Sequence, residues 1–249
     1  MSSSFSSVCR LGFLVSIFTC TLSLLCLPAQ AQRRGVSPGR GRAVVVDERL
    51  AALRDEPRLT AALVRRLGRG RQVSLIGPLR QSDGVNFYRV AVTRRTRGWL
   101  PAESLAMPSR AGDDERLLRL LRASEDFDRI ARARLFLDIF SRSPLRPAVL
   151  SALGAAAEEA AVKLTRDAAR RLDEAEMKSS GAPVQAFYLN FNGLDRYHKQ
   201  GVVFTFDRMT KQFHYDGAAW REIVRRYPRS PEAAAARKRL DVLAVTPTR

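Results

Sequence analysis

The hydrophobic positions of this chain change their period near residue 107. Before it, apolar residues come in short runs with strand spacing. Ala43-Val-Val-Val46 opens the region, Leu53, Leu63-Val64 and Leu67 follow, and Val73-Ser-Leu-Ile76 is a run with β-branched ends. Phe87-Tyr-Arg-Val-Ala-Val92 alternates well enough for a half-buried strand, and Gly98-Trp-Leu100 closes the series. Gly68, Gly70, Gly77-Pro78 and Asp83-Gly84 punctuate turns, and Arg94-Arg-Thr-Arg97 makes a basic one. Short strands at this spacing predict a small closed β-barrel over residues 43–106. Residues 107–113, beginning Met107-Pro-Ser-Arg-Ala-Gly112, read as a linker.

Beyond the linker the period becomes helical, over a region spanning 114–244 with a short tail at 245–249. Leu117, Leu118, Leu120 and Leu121 define a first helix, led by Asp113-Asp-Glu115 where the helix dipole favours negative charge. Ser124 is the expected N-cap of a second, in which Phe127, Ile130, Ala133, Leu137 and Phe140 recur at helical spacing. Ser143-Pro144 breaks it. Alanine-rich sequence from Ala148 to Met177 predicts one long helix, stopped by Lys178-Ser-Ser-Gly181. Val202-Val-Phe-Thr-Phe206 and Gln212-Phe-His-Tyr215 flank a polar turn, which predicts a hairpin over 202–215. A helix pair follows, with Trp220, Ile223, Val224 and Tyr227 on one stripe and Ala233, Ala236, Leu240 and Leu243 on the other. Ser230 is the expected cap of the last helix and Pro231 its first residue. Strands first and helices afterwards make an α+β fold.

The first 31 residues have the order of a secretory signal: Arg10 as the one charge, an apolar run from Leu11 to Leu27, and the small-x-small site Ala29-Gln-Ala31 before Gln32. An uncleaved anchor would need roughly 20 apolar residues, and a lipid-modified Cys26 would need a small residue where Leu25 stands. Soluble export, to the periplasm or outside the cell, is the expectation. Residues 32–42, rich in Gly, Pro and Arg, form a flexible basic lead-in. All three cysteines, Cys9, Cys20 and Cys26, fall in the signal, so the mature protein of about 218 residues would have no thiol chemistry.

Lys and Arg together number 43 against 25 Asp and Glu, a net charge of +18 that cleavage lowers by one. An electrostatic footprint for an anionic polymer is one reading of this excess. A solvated basic surface is the other, and the scatter of basic residues along nearly every element favours it.

Several residues in the strand region carry a resemblance. Leu53-Arg54, Pro57, the Leu67–Gly70 turn, Val73 to Ile76, Phe87 to Val92, and Gly98-Trp-Leu-Pro101 followed by Leu105 stand in the order of the bacterial SH3-like (SH3b) domain, which residues 43–106 resemble. Phe87-Tyr88 stands where the family often has a Trp, and Asp55-Glu-Pro57 replaces its usual first-loop glycine. The resemblance implies a non-catalytic module that binds wall peptide or protein. On that module Trp99 is expected to seal the core, and Tyr88, Arg94, Arg95 and Arg97 are the candidate ligand-facing residues. Further on, Tyr227-Pro-Arg-Ser-Pro231 resembles the helix join of tetratricopeptide-like repeats in exported bacterial proteins, and Phe140-Ser-Arg-Ser-Pro144 echoes it. The resemblance covers about 124–156 and 216–244 and implies a protein-interaction surface.

No catalytic set emerges. His198 and His214 lie in or near the predicted hairpin without carboxylates at metal-ligand spacing. Glu158-Glu159, Asp173-Glu174 and Glu176 pass as paired carboxylates for glycan cleavage, but on an Arg-rich helix they are expected to pair with Arg170 and Arg171. The sequence thus predicts an exported, non-catalytic scaffold of the bacterial envelope, with no cofactor and no metal. Its partner would be an envelope protein or peptidoglycan, not nucleic acid, and membrane contact would be limited to the uncleaved signal. The alternatives are a binder of peptidoglycan or another anionic wall polymer, and a carboxylate-dependent glycan hydrolase.

Overall fold

A computed structural model describes residues 41–245. The expected signal segment, its cysteines and most of the lead-in and tail lie outside the described residues.

Seven strands form one antiparallel sheet: β1 (Arg42–Val45), β2 (Ala52–Arg54), β3 (Leu63–Arg66), β4 (Gln72–Ser82), β5 (Val85–Ala91), β6 (Arg97–Pro101) and β7 (Leu105–Ala106). Their spatial order is β3-β2-β6-β5-β4-β1-β7. Leu53 of β2 and Leu105 of β7, from opposite ends of that order, share one buried cluster with Val45, Val73, Val90 and Leu100. The sheet is therefore rolled around its own aliphatic core. Gly98 is required for this closure, because a Cβ there would collide with the Arg54 carbonyl and the Leu53 side chain. Trp99, 8% exposed, is buried but belongs to the opposite face from that core.

The edge strand β3 is exposed throughout. Its register against β2 passes from Arg65 to Leu63 and skips Val64, so the edge is bulged as well as charged at Arg65 and Arg66.

The helices are α1 (Asp113–Arg122), α2 (Asp126–Ile139), α3 (Arg146–Arg171), α4 (Glu174–Ser179), α5 (Val184–Leu189), α6 (Asp195–His198), α7 (Ala218–Arg226) and α8 (Glu232–Val245), with a hairpin of β8 (Phe204–Asp207) and β9 (Gln212–Tyr215) before the last two. The molecule is α+β, as the sequence predicts. Helix α3 is the central post, packed by α2, β9, α7 and α8. Its buried face carries Gly154 and five alanines (Ala156, Ala157, Ala160, Ala161 and Ala168), which let neighbours approach closely. At Gly154 the approach is closest: an added Cβ would lie 2.5 Å from the Trp220 ring. Aromatic contacts fill the rest, including Phe127 edge-on to Tyr197 and Tyr188 stacked on Phe206 at 4.6 Å.

Three sequence expectations fail at helix ends. The long alanine-rich helix stops at Arg171, because the Asp173 carboxylate accepts the N–H groups of Ala175 and Glu176 and starts α4 afresh. Ser124 does not cap α2: its hydroxyl donates to the Leu120 carbonyl at 2.6 Å and accepts from Arg132, and Glu125 takes the cap position. Ser230 accepts the Ala233 N–H through its carbonyl, while its hydroxyl is buried without a partner, and α8 begins at Glu232.

Sheet and helices are joined by apolar packing and by polar bonds, one of them buried. Val46 and Ala106 pack into the helical core. The Asp113 carboxylate accepts the Met107 N–H at 2.7 Å and pairs with Arg110 at 2.6 Å. Arg116 donates to the carbonyls of Glu103 and Leu105, and Arg69 bridges Glu48 and Asp128.

Candidate functional site

Residues directly opposite on antiparallel strands point to the same face, and alternate residues along a strand share a face. Trp99 is opposite both Arg54 of β2 and Arg89 of β5. Arg54 is in turn opposite Leu63. A row therefore crosses four strands on the outer face: Leu63, Arg54, Trp99, Arg89. Arg97 lies two residues before Trp99 on the same face. Arg80 is opposite Phe87, two residues from Arg89, and its guanidinium stands 5.5 Å from the Trp99 ring centroid. Four arginines thus share one sheet face with the tryptophan, and the guanidinium of Arg80 lies over its ring.

None of the four forms an ion pair among the described residues. Arg54 donates to the Ala61 carbonyl at 2.5 Å, which fixes its stem. The cation–π contact orients Arg80 without neutralising it. Neighbouring strands are about 4.8 Å apart, so Arg54 and Arg89, two steps from each other, stand roughly 10 Å apart with Trp99 between. Leu63 adds an apolar margin, 51% exposed. The arrangement can hold an extended anion and has neither a base nor a nucleophile within it.

The sequence-predicted ligand residues divide between two faces. Arg97 belongs to the row just described. Arg94 and Arg95 are exposed in the β5–β6 turn, where the Thr93 hydroxyl accepts the N–H groups of Arg95 and Thr96 and aims the turn. Tyr88 lies on the other face, opposite the buried Leu100, packed against the sheet core and interacting with Arg110. Arg54, Arg80 and Arg89 were missed because only cross-strand register brings them to Trp99. The alternation of Phe87, Arg89 and Ala91 against Arg97 and Trp99 was the available signal.

Four of the carboxylates considered for glycan cleavage are engaged elsewhere. Glu158 accepts the Trp220 indole N–H at 2.8 Å and pairs with Arg239. Glu159 faces Arg129, Asp173 caps α4, and Glu174 pairs with Lys211 and Lys178. Arg170, expected beside them, pairs instead with Asp167. His198 ends α6 and His214 lies on β9 opposite Thr205. Among the described residues no group of three His, Cys, Asp or Glu side chains could hold a metal ion.

Perturbed titrations fall inside the scaffold. Hydrogen bonds from Arg49 hold the Asp47 carboxyl below the usual carboxylate range. Burial, with Arg69 nearby, presses the Arg132 guanidinium downward. Burial also pushes the Tyr215 hydroxyl up to about 12; it accepts the Ala219 N–H at 2.7 Å. Among the described residues no helix is long and apolar enough to cross a membrane. No protein-family model matches the chain, and no curated protein or solved structure is significantly similar to it.

Proposed function

We propose that the protein is a non-catalytic binding component of the bacterial envelope, exported by its N-terminal segment. In this reading the sheet is an SH3-like module that holds an anionic wall polymer on its outer face, and the helices are the scaffold that presents it. One observation carries the proposal: Arg54, Arg80, Arg89 and Arg97 share a sheet face with Trp99, with no carboxylate paired to them among the described residues. Like charges gathered without counter-charges cost stability, and an anionic ligand removes that cost. The polymer supplies repeated negative groups, and arginines based on strands roughly 10 Å apart can engage more than one of them at once.

Co-sedimentation with purified peptidoglycan sacculi over a salt series tests the reading. Binding is expected to weaken as salt rises, because exposed charges are screened. It is expected to fall at least tenfold in the Arg54→Gln/Arg89→Gln double variant. Equal binding by the wild-type protein and that variant would overturn it.

A further inference from the structure

A second site lies where the sheet meets the helices. Arg42 and Val44 alternate along β1 and share a face, and Gln72 stands opposite Val44 on β4. Across from them, α2 presents Ala131, Leu135 and Asp138, spaced four and three residues and therefore on one stripe. Between these walls is a cleft of about 700 Å3, a volume typical of small-ligand sites, which also favour such junctions. Arg69 closes one end by bridging Glu48 from the sheet side to Asp128 on α2.

Away from Arg69 the lining carries two charges without an ion pair among the described residues. Asp138 is ten residues beyond Asp128, about 15 Å along the helix axis. Arg42 begins β1, at the end of the strand away from Glu48. Both are exposed, both line the cleft, and neither forms an ion pair among the described residues. The lining between the two ends is mixed, with Val44, Ala131 and Leu135 alongside Gln72 and Gln200. An anion on the helix wall and a cation on the strand wall fit a ligand end that bears both charges. A mixed trough about 15 Å long accommodates about four extended residues at roughly 3.3 Å each, with Gln72 and Gln200 placed to meet a peptide backbone.

We propose that this cleft binds a short extended peptide whose terminal residue carries both a carboxylate and an ammonium group. The carboxylate is held by Arg42, the ammonium by Asp138, and the apolar side chains lie along Val44 and Leu135. The site belongs to neither region alone, since each supplies one wall. It is separate from the outer sheet face, so its test needs no polymer and is unaffected by failure of the polymer reading.

The probe is N-acetyl-Ala-Leu-Ala-Lys with a free carboxylate, titrated into the purified protein and followed by amide chemical shifts. Shifts are expected at Val44, Gln72 and Leu135. Amidating the C-terminus, or replacing the terminal lysine by norleucine, is expected to weaken binding fivefold or more. Arg42→Gln should abolish the difference between free and amidated peptides, and Asp138→Asn the difference between lysine and norleucine. Both residues are exposed, so the two variants are expected to keep the wild-type spectrum elsewhere. Absence of shifts at the three lining residues at millimolar peptide would overturn the proposal. So would equal binding of all three peptides by the wild-type protein.

Discussion

The helical region and the sheet use arginine in opposite ways. In the helices, two arginines are built into the core. Arg132 is 4% exposed, donates to the Ser124 hydroxyl and lies 3.8 Å from Asp128. Arg146 donates to the Leu137 carbonyl at 2.7 Å and to the Tyr227 hydroxyl at 3.0 Å, tying together the two Ser-Pro helix joins. On the sheet, Arg54, Arg80, Arg89 and Arg97 stand on an open face without carboxylates. The same residue type therefore divides into a structural set and a set with unspent charge. Net charge alone does not distinguish the two; hydrogen-bond partners and burial do.

The sharpest break of this contrast comes from the helical core, where structural demands are greatest. Gly154→Val would push a side chain into Trp220, and overpacking of this kind costs about 3 kcal/mol; a urea midpoint well below wild type is expected, with binding to sacculi retained wherever the protein is still folded. Arg146→Met leaves buried carbonyls without their donor and is expected to cost about 2 kcal/mol in the same measurement.

High pH probes the same region. Tyr215 ionises in the folded protein only at about 12, against roughly 10 when unfolded. Its contribution is therefore fully present below pH 10 and is lost as pH rises towards 12, and thermal unfolding across that range should show a progressive fall in midpoint. Tyr215→Phe should remove much of that fall. By contrast, Arg54→Gln/Arg89→Gln is expected to change stability by less than about 0.5 kcal/mol while polymer binding drops. The smallest expected effect is Arg94→Ser/Arg95→Ser: unchanged stability and a loss of binding of twofold or less at moderate salt, because a solvated turn tip contributes weakly.

Much of the architecture was legible in local pattern. Phe87 to Val92 and Gly98 to Leu100 are legible as strands because short runs rich in aromatic and β-branched residues favour extended chain. The 202–215 hairpin and the Trp220–Ile223 stripe announce themselves by period. What failed was decided by single side-chain hydrogen bonds: Asp173 starts a new helix inside an alanine-rich run, and Ser124 spends its hydroxyl on Leu120 and Arg132 instead of the cap. The short helices between Val184 and His198 carry too little periodicity to be read. The Arg-Trp face was out of reach for another reason. Arg54 and Trp99 are 45 positions apart, and only strand register makes them neighbours.

The bulge at Val64 has a consequence for how the protein behaves when concentrated. A smooth edge exposing Leu63 and Val64 would be a template on which a second copy could zip its own backbone, and growth from such an edge has no natural stop. With one residue out of step and two arginines beside it, that docking meets mismatched donors and repelling charges. Deleting Val64 should restore the step and convert a well-behaved solute into one whose light scattering rises with concentration.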